Sequence, residues 1–426
     1  METLIVAGAT VVGMIACVIT NAEIKKIKLP LYWVVTLVGA IIMLACGFLP
    51  ISTAFELLTA DTAVNPIKIL VLFLCMTMLS VFLDEAGFFR YLAGVTLKKA
   101  GHRQTTLFIT LYFVVSILTV FTSNDVIILT FTPFICYFCK SAKINPLPYL
   151  IAEFVGANTF SMVLLIGNPT NVYLALAENI GFMDYLSVMW LPSIMGGLTA
   201  FVVMFALFYK KLKQPISPSF EHFPLKKPMV IIGLIHLSTC TVLLAISDFI
   251  GIEMWLISLA FVSSLFITVF FYKLIKREHF VEIVHTFHRA PWGLVPFMLS
   301  MFIMVCALTQ TGATSYLAQV LNYGEPVFTY GIVSAMACNV VNNIPMSVLF
   351  ASVLSFSSSL PSAFACIIGS NIGAFLTPIG ALAGIMWSNI LRAQKVKITF
   401  VKFIFYGIMI AIPTLLASLW GLFIVI

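Results

Sequence analysis

Residues 149–181 read YLIAEFVGANTFSMVLLIGNPTNVYLALAENIG, a long apolar segment that is interrupted by Gly, Asn and Pro. A second stretch, 361–391, reads PSAFACIIGSNIGAFLTPIGALAGIMWSNIL and has the same character. Each is long enough to cross about 30 Å of hydrocarbon, but Pro and Gly disrupt a regular helix. Irregular backbone at membrane depth is tolerated where protein, water or a ligand satisfies its polar groups. The two stretches therefore predict a binding site inside a bilayer.

The composition places the rest of the chain in the membrane as well. Of 426 residues, 61% are hydrophobic and 9% are charged, whereas soluble domains carry about 25% charged residues. The net charge of +7 comes from Lys and Arg in short loops between apolar spans, which is typical of orientation signals. We therefore expect an all-α polytopic protein whose partners are the lipid bilayer and a small-molecule or ion substrate, with no nucleic acid.

The two halves of the chain share the order of their interruptions. Gly156-Ala157-Asn158 matches Gly369-Ser370-Asn371, and the same offset pairs Ile166-Gly167 with Ile379-Gly380. Short segments at 126–139 and 345–355 precede the interrupted stretches, and paired features of this kind indicate inverted transporter repeats. The prediction is about 10 transmembrane helices plus two re-entrant hairpins. Repeat 1 covers 1–210, with hairpin 105–139 and broken helix 149–181. A cytoplasmic linker over 211–228 leads to repeat 2 over 229–426, with hairpin 326–355 and broken helix 361–391.

The distribution of basic residues predicts the orientation. If the hairpins are re-entrant, Arg103 and Lys140 flank the first hairpin on one side, and all Lys and Arg except Lys68 fall on the cytoplasmic side. Both termini then lie outside a cell inner membrane. The alternative is that the short segments are ordinary crossings.

The hairpin tips and helix breaks are the predicted site. Helix N-termini attract anions and polar oxygens, and exposed carbonyl, Asn and Thr oxygens coordinate cations. The alternative is that these small and polar residues only let helices pack closely. The candidate substrate- or ion-binding residues are Ser123, Asn124, Asp125, Asn158, Thr159, Asn168, Pro169, Thr170, Asn171, Asn342, Asn343, Asn371, Thr377 and Pro378.

Two acids are candidates for proton coupling. Asp125 lies at the first tip, where an acid in an apolar region is costly and usually functional, although Asp also caps helices. Glu153, in a span, is the second candidate. The coupling ion is expected to be H⁺ or Na⁺. No metal site and no cofactor are expected, since the nine Cys are scattered in or beside apolar spans.

These motifs resemble the ion transporter superfamily, which holds arsenite permeases, citrate and dicarboxylate transporters, and Na⁺/H⁺ antiporters. The resemblance is carried by Ser123-Asn124-Asp125, Gly167-Asn168-Pro169-Thr170-Asn171, Asn342-Asn343-Ile344-Pro345, and Gly369-Ser370-Asn371 running to Thr377-Pro378-Ile379-Gly380. It is nearest to the arsenite permease branch. This implies secondary active efflux of arsenite or antimonite coupled to protons, an elevator-like motion and a homodimer. No enzymatic activity is expected, because the sequence lacks a His-Glu-x-x-His metal motif and any Ser-His pair at plausible depth.

Two departures keep other substrates open. The arsenite branch tends to have Asp where this chain has Asn158 and Asn371, and the Gly-Asn-Pro-Thr-Asn break is more typical of citrate-transporter-like members. The alternatives are a Na⁺- or H⁺-coupled di- or tricarboxylate transporter, a Na⁺/H⁺ antiporter and, more remotely, a passive channel.

Overall fold

A computed structural model describes residues 2–20, 23–24, 29–62, 65–100, 103–214, 225–356 and 359–426. Residues 215–224 of the predicted linker lie outside the described part. The described chain is helical except for loops and one two-residue antiparallel pair, Glu23–Ile24 with Leu29–Pro30. The predicted all-α membrane fold is confirmed.

In the described part of the chain, ten helices precede the linker. They are α1 Glu2–Thr20, α2 Tyr32–Ala45, α3 Ile51–Thr59, α4 Pro66–Glu85, α5 Phe88–Ala100, α6 Gln104–Phe121, α7 Asn124–Ser141, α8 Leu147–Phe160, α9 Pro169–Ala177 and α10 Phe182–Leu212, with a 3₁₀ turn at Leu165–Gly167 between α8 and α9. The predicted broken helix 149–181 thus corresponds to α8, the 3₁₀ turn and α9.

Eleven described helices follow the linker. They are α11 Lys227–Ala245, α12 Ser247–Ile250, α13 Met254–Lys276, α14 Val281–Arg289, α15 Leu294–Gln310, α16 Ala313–Leu321, α17 Pro326–Val341, α18 Asn343–Leu354, α19 Leu360–Gly373, α20 Leu382–Ala393 and α21 Phe400–Val425. The predicted broken helix 361–391 corresponds to α19 and α20, separated at residues 374–381.

Helix length separates two groups of apolar segments. Within the described residues, seven stretches are long and apolar enough to cross a membrane, and five shorter apolar helices accompany them. α7 has 18 residues, about 27 Å at 1.5 Å per residue, and is longer than the predicted arm 126–139. Its length alone therefore does not distinguish a re-entrant arm from a crossing.

α17 and α19 pack with their backbones in close contact. A Cβ added at Gly369 would lie 2.0 Å from Ser334 Oγ and 2.4 Å from the carbonyl oxygen of Gly331, and one at Gly373 would lie 2.6 Å from the carbonyl oxygen of Ala335. Small residues permit this approach between membrane helices. The contact holds α19, which precedes the second break, against α17, the first arm of the predicted second hairpin.

Ion pairs connect helix ends from both halves. Arg289 of α14 pairs with Asp84 of α4 at 2.8 Å and also with Glu85. Glu282 of α14 is buried and pairs with Lys226 at 2.8 Å and with Lys273. These contacts bind the short helix α14 to the ends of α4, α11 and α13.

Lys68, the residue that the predicted orientation leaves outside, lies between two acids. Its Nζ is 2.5 Å from Asp61 and 2.6 Å from Glu253. The hydrogen bond and the positive charge from Lys68 lower the pKa of the exposed Asp61 carboxyl below its usual value. Lys68 therefore belongs to a group of one basic and two acidic side chains, and the ion pairs connect the start of α4 to the residue that precedes α13.

Candidate functional site

The first break is a compact turn between α8 and α9. Asn168 is extended and caps α9, since its Oδ1 accepts from the backbone N–H of Thr170 at 3.2 Å. Pro169 takes the first helical position, where its missing N–H costs nothing. A Cβ at Gly167 would lie 2.2 Å from the carbonyl oxygen of Ser161, so the chain passes closely over the end of α8.

Asn371 of α19 connects this break to the second half. Its Oδ1 accepts from Ser161 Oγ at 2.9 Å and from Asn168 Nδ2 at 3.0 Å, while its Nδ2 donates to Asn171 Oδ1 at 2.7 Å. Beside it, the hydroxyls of Thr170 and Ser370 are 3.1 Å apart. All six side chains are buried. Side chains of α19, in the other half of the chain, thus form hydrogen bonds with the polar side chains of the first break.

The first hairpin tip joins the same network. Ser123 caps α7 by accepting from Val126 N–H at 3.4 Å, and Asn124 Nδ2 donates to Asn158 Oδ1 at 3.1 Å. Ser161 Oγ lies 2.8 Å from the carbonyl oxygen of Asn158, within reach of the same network. We call this group the first cluster; it comprises Asn124, Asn158, Ser161, Asn168, Thr170, Asn171, Ser370 and Asn371.

The second tip binds the second break. Asn342 Nδ2 donates to the carbonyl oxygen of Ile379 at 3.0 Å, and the backbone N–H of Asn343 donates to that of Gly380 at 3.0 Å. Thr377 Oγ1 donates to Asn339 Oδ1 at 2.6 Å. We call this group the second cluster; it comprises Asn339, Asn342, Asn343, Thr377, Ile379 and Gly380. Among the described residues, no side-chain hydrogen bond joins the two clusters, so the predicted ends form two groups.

Asn342 has a backbone conformation that side chains rarely adopt. Its φ is 74° and its ψ is 155°, a region populated mainly by glycine, and occupying it costs about 1–3 kcal/mol. Its side chain also caps α18 by accepting from Ile344 N–H at 3.4 Å. The contacts to the second break hold this strained residue in place.

Three residues that contribute side chains to these clusters were absent from the predicted set. Ser161 follows α8, and its signal was its position just before the break. Ser370 adjoins Asn371 in the repeated Gly-Ser-Asn motif. Asn339 lies in α17, where its Nδ2 donates to the carbonyl oxygen of Gly373 at 2.8 Å; an amide in an apolar segment was the available signal.

Several buried oxygens of the predicted residues have no hydrogen-bond partner. They are Thr159 Oγ1, Asn343 Oδ1 and Glu153 Oε2. Asp125 lies in the first turn of α7 and is 8% exposed, where the helix dipole favours a carboxylate. The unpaired oxygens of Thr159, Asn343 and Glu153 are therefore available to bind an ion or a proton.

A cavity of about 230 Å³ reaches the second break. Pro378, the last of the predicted residues, forms part of its wall together with Ile379, Trp387, Ser388, Arg392 and Phe403. The described residues contain no group of three or more His, Cys, Asp or Glu that could hold a metal ion.

Comparisons with known proteins agree with this architecture. A family model described as "Citrate transporter" matches residues 15–358. An "Arsenical pump membrane protein" of Escherichia coli is 26% identical over 441 residues, covering 98% of each chain.

Two solved transporters share the fold. The YdaH transporter of Alcanivorax borkumensis has a TM-score of 0.55 at 12% identity and covers 92% of this chain and 96% of its own. MtrF of Neisseria gonorrhoeae, described as one of a class of antimetabolite efflux pumps, has a TM-score of 0.52 at 14% identity. The match covers 97% of this chain and 94% of the MtrF chain. At these identities the likeness concerns the fold alone.

Proposed function

The chain belongs to the citrate transporter family, and we propose that this multi-pass secondary transporter exports a small oxyacid of the arsenite or antimonite type in exchange for protons. The whole-length relatives described as arsenical pump membrane proteins support this substrate class. So does the chemistry of the first cluster, which is the observation that carries the proposal.

The first cluster is buried, polar and electrically neutral. Its side chains are amides and hydroxyls, which both donate and accept hydrogen bonds. Arsenous acid is an uncharged molecule at neutral pH, and its three hydroxyl groups also donate and accept. A multiply charged anion would instead require cationic partners in such a buried place. Neutral side chains around the breaks therefore fit an undissociated oxyacid better than a free tricarboxylate.

Asp125 is the proposed coupling residue at the first tip. It follows Asn124, whose side chain binds Asn158 of the first cluster and whose Oδ1 accepts from the Asp125 N–H at 2.9 Å. A change in the charge of Asp125 would act on α7 one residue from the cluster. Binding of a proton there would thus be linked to the arrangement of the substrate site.

Sodium-coupled transport of a di- or tricarboxylate is the alternative, favoured by a separate observation. Thr159 Oγ1 and Asn343 Oδ1 are buried oxygens without hydrogen-bond partners, and oxygens are the ligands that hard cations prefer. The N-termini of α9 and α18 would then face the carboxylate. A bound Na⁺ would compensate part of the anionic charge.

A flux panel with purified protein in sealed liposomes tests the proposal. Arsenite, antimonite, citrate, succinate and Na⁺ are each followed under an imposed proton gradient and an imposed sodium gradient. Uphill movement of arsenite driven by protons is expected, and it should be lost in Asp125→Asn but kept in the matched variant Glu56→Gln, since Glu56 is exposed.

The other outcomes of the panel separate the remaining functions. Sodium-driven accumulation of citrate or succinate would replace the proposal with the carboxylate alternative. Movement of Na⁺ alone against protons would identify an antiporter. Downhill flux that no ion gradient can drive uphill would identify a channel.

A further inference from the structure

We infer that Glu153, Thr132 and Trp387 form a second proton-binding site, distinct from Asp125 and reached from the cavity at the second break. Glu153 lies on α8, Thr132 on α7 and Trp387 on α20, so the site joins three helices from both halves. The inference rests on the proposed function for its role in transport, while the proton site itself can be tested without any substrate.

The Glu153 carboxyl is fully buried and only half satisfied. Its exposed fraction is 0%. Thr132 Oγ1 donates to Oε1 at 2.7 Å, whereas Oε2 has no hydrogen-bond partner. An acid at membrane depth is costly and is usually retained for a functional reason. An oxygen with an unused lone pair in such a place is suited to carry a proton.

Trp387 places an unused donor beside this carboxyl. Its indole N–H interacts with Glu153 without reaching hydrogen-bond geometry, and it too is buried without a partner. The indole is wedged against Phe154 and Phe403, with ring centroids 5.1 and 5.4 Å apart. An unpaired donor and an unpaired acceptor thus lie near each other in one apolar pocket.

Trp387 also connects the pocket to the cavity. It belongs to the wall of the cavity of about 230 Å³ together with Pro378 and Arg392. Glu153 does not line this cavity. Once a movement of α20 displaces Trp387, a hydronium ion in the cavity would transfer its proton to Oε2 of Glu153 and leave a water molecule, and the reverse transfer would release the proton. Trp387 therefore stands between the cavity and the acid.

The helices that pack around Glu153 carry several titratable or charged groups. Cys136 faces it from α7, and Tyr149 precedes it on α8, where its hydroxyl donates to Gln104 of α6 at 2.9 Å. Arg392 is the charged residue of the cavity wall on α20. The groups that contact the carboxyl directly, Thr132 and Trp387, are neutral, so the charge at this point is set by Glu153 itself.

The charge of Glu153 then controls the position of α20. An ionised carboxylate requires a second donor, and the Trp387 N–H is the unpaired donor next to it, so ionisation draws α20 towards α8. Protonation removes that requirement. Because α20 begins at the second break, proton transfer at Glu153 would be coupled to the geometry of the cavity and of the second cluster.

Infrared difference spectroscopy of the protein in liposomes tests the proton site directly. The C=O absorption of protonated carboxyl groups is followed during a pH titration without substrate. We expect one titrating band to disappear in Glu153→Gln and to remain in the exposed control Glu56→Gln. In Trp387→Phe, which keeps an aromatic ring but lacks the donor, the midpoint of that band should move by about one pH unit, the size of one charged hydrogen bond.

Two results would overturn the inference. One is a complete set of titrating bands in a monodisperse Glu153→Gln protein. The other is an unchanged midpoint in Trp387→Phe, which remains informative if Glu153→Gln does not fold.

Flux measurements separate this inference from the proposed function. We expect Glu153→Gln to lose at least about tenfold of its proton-driven uphill flux, whereas the exposed control Glu56→Gln should keep that flux. If a proton gradient does not drive uphill flux in the unmodified protein, the proposed function is wrong. The infrared titration would still show whether Glu153 binds a proton.

Discussion

Asn171 and Asn371 lie 200 positions apart in sequence, yet Asn371 Nδ2 donates to Asn171 Oδ1 at 2.7 Å. The same Asn371 accepts from Ser161 and Asn168. One amide thus satisfies three side chains of the first break.

Replacing Asn371 with alanine should disable the first cluster. Ser161, Asn168 and Asn171 would each lose a buried partner, and each loss costs about 1–3 kcal/mol. We expect a fall of at least about tenfold in substrate flux and a lower thermal unfolding midpoint in detergent. Ser355→Ala, at an exposed position, serves as control; flux in Asn371→Ala equal to that of the control would show that the cluster does not hold the substrate site.

The strained conformation of Asn342 makes a prediction about stability. Glycine adopts φ 74° and ψ 155° without penalty, whereas alanine does not. Both substitutions remove the side-chain bond to Ile379, so their difference isolates the backbone. Asn342→Gly should be more stable than Asn342→Ala by about 1–3 kcal/mol in thermal unfolding; equal stabilities would mean that the tip relaxes at no cost.

Close packing of α17 against α19 predicts intolerance at Gly369. A methyl group there would overlap Ser334 and Gly331, and overpacking costs about 1–3 kcal/mol. Gly369→Ala should lower the unfolding midpoint. Gly8→Ala is the matched control, because Gly8 has no atom within 4 Å of an added Cβ, and it should be neutral or slightly stabilising. Similar midpoints for the two variants would contradict the packing described for α17 and α19.

The buried ion pair of Glu282 should matter more than its exposed neighbour. Lys273 is 5% exposed at its side chain and contacts both Glu282, at 2% exposure, and Glu278, at 52%. Removing one partner of a buried pair costs about 3–5 kcal/mol, and an exposed pair contributes about 0–1 kcal/mol. Glu282→Gln should therefore unfold at a clearly lower temperature than Glu278→Gln; the reverse order would exclude α14 as an anchor of the helix ends.

The re-entrant arrangement predicts the sidedness of Arg103 and Lys140. Both residues flank the α6–α7 pair, and a hairpin that enters and leaves on one side exposes both to the same compartment. Arg103→Cys and Lys140→Cys, in a background without accessible thiols, should react with an impermeant maleimide from the same face. Labelling from opposite faces would make α6–α7 include an ordinary crossing and would remove the inverted topology.

The sequence predicted those features that depend on local backbone chemistry. Gly167-Asn168-Pro169 predicted a break in the first long stretch, and α9 begins there, with Asn168 as its cap and Pro169 in its first position. The alternative that Asp125 caps the helix at the first tip was wrong, because Ser123 is the cap of α7 and Asp125 lies in its first turn. The all-α membrane fold followed from the recurrence of apolar spans.

Contacts between residues that are far apart in the sequence could not be predicted in the same way. No pattern near Asn371 indicates that its amide binds the first break, because that contact depends on the packing of α19 against α9. Asn339 was missed since it lies within a regular helix, with no break beside it. The cavity wall combines Pro378 with Trp387 and Phe403, a combination that only the tertiary structure reveals.

The hydrogen bonds of Asn371 have a consequence for biogenesis. When the ribosome has inserted only the first half, Ser161, Asn168 and Asn171 are already in the membrane, and the amide that satisfies them has not been synthesised. In an isolated first half, these side chains would face lipid, or water that enters the membrane with them. The hydrogen bonds of the first break are therefore completed late in synthesis, when α19 enters the membrane.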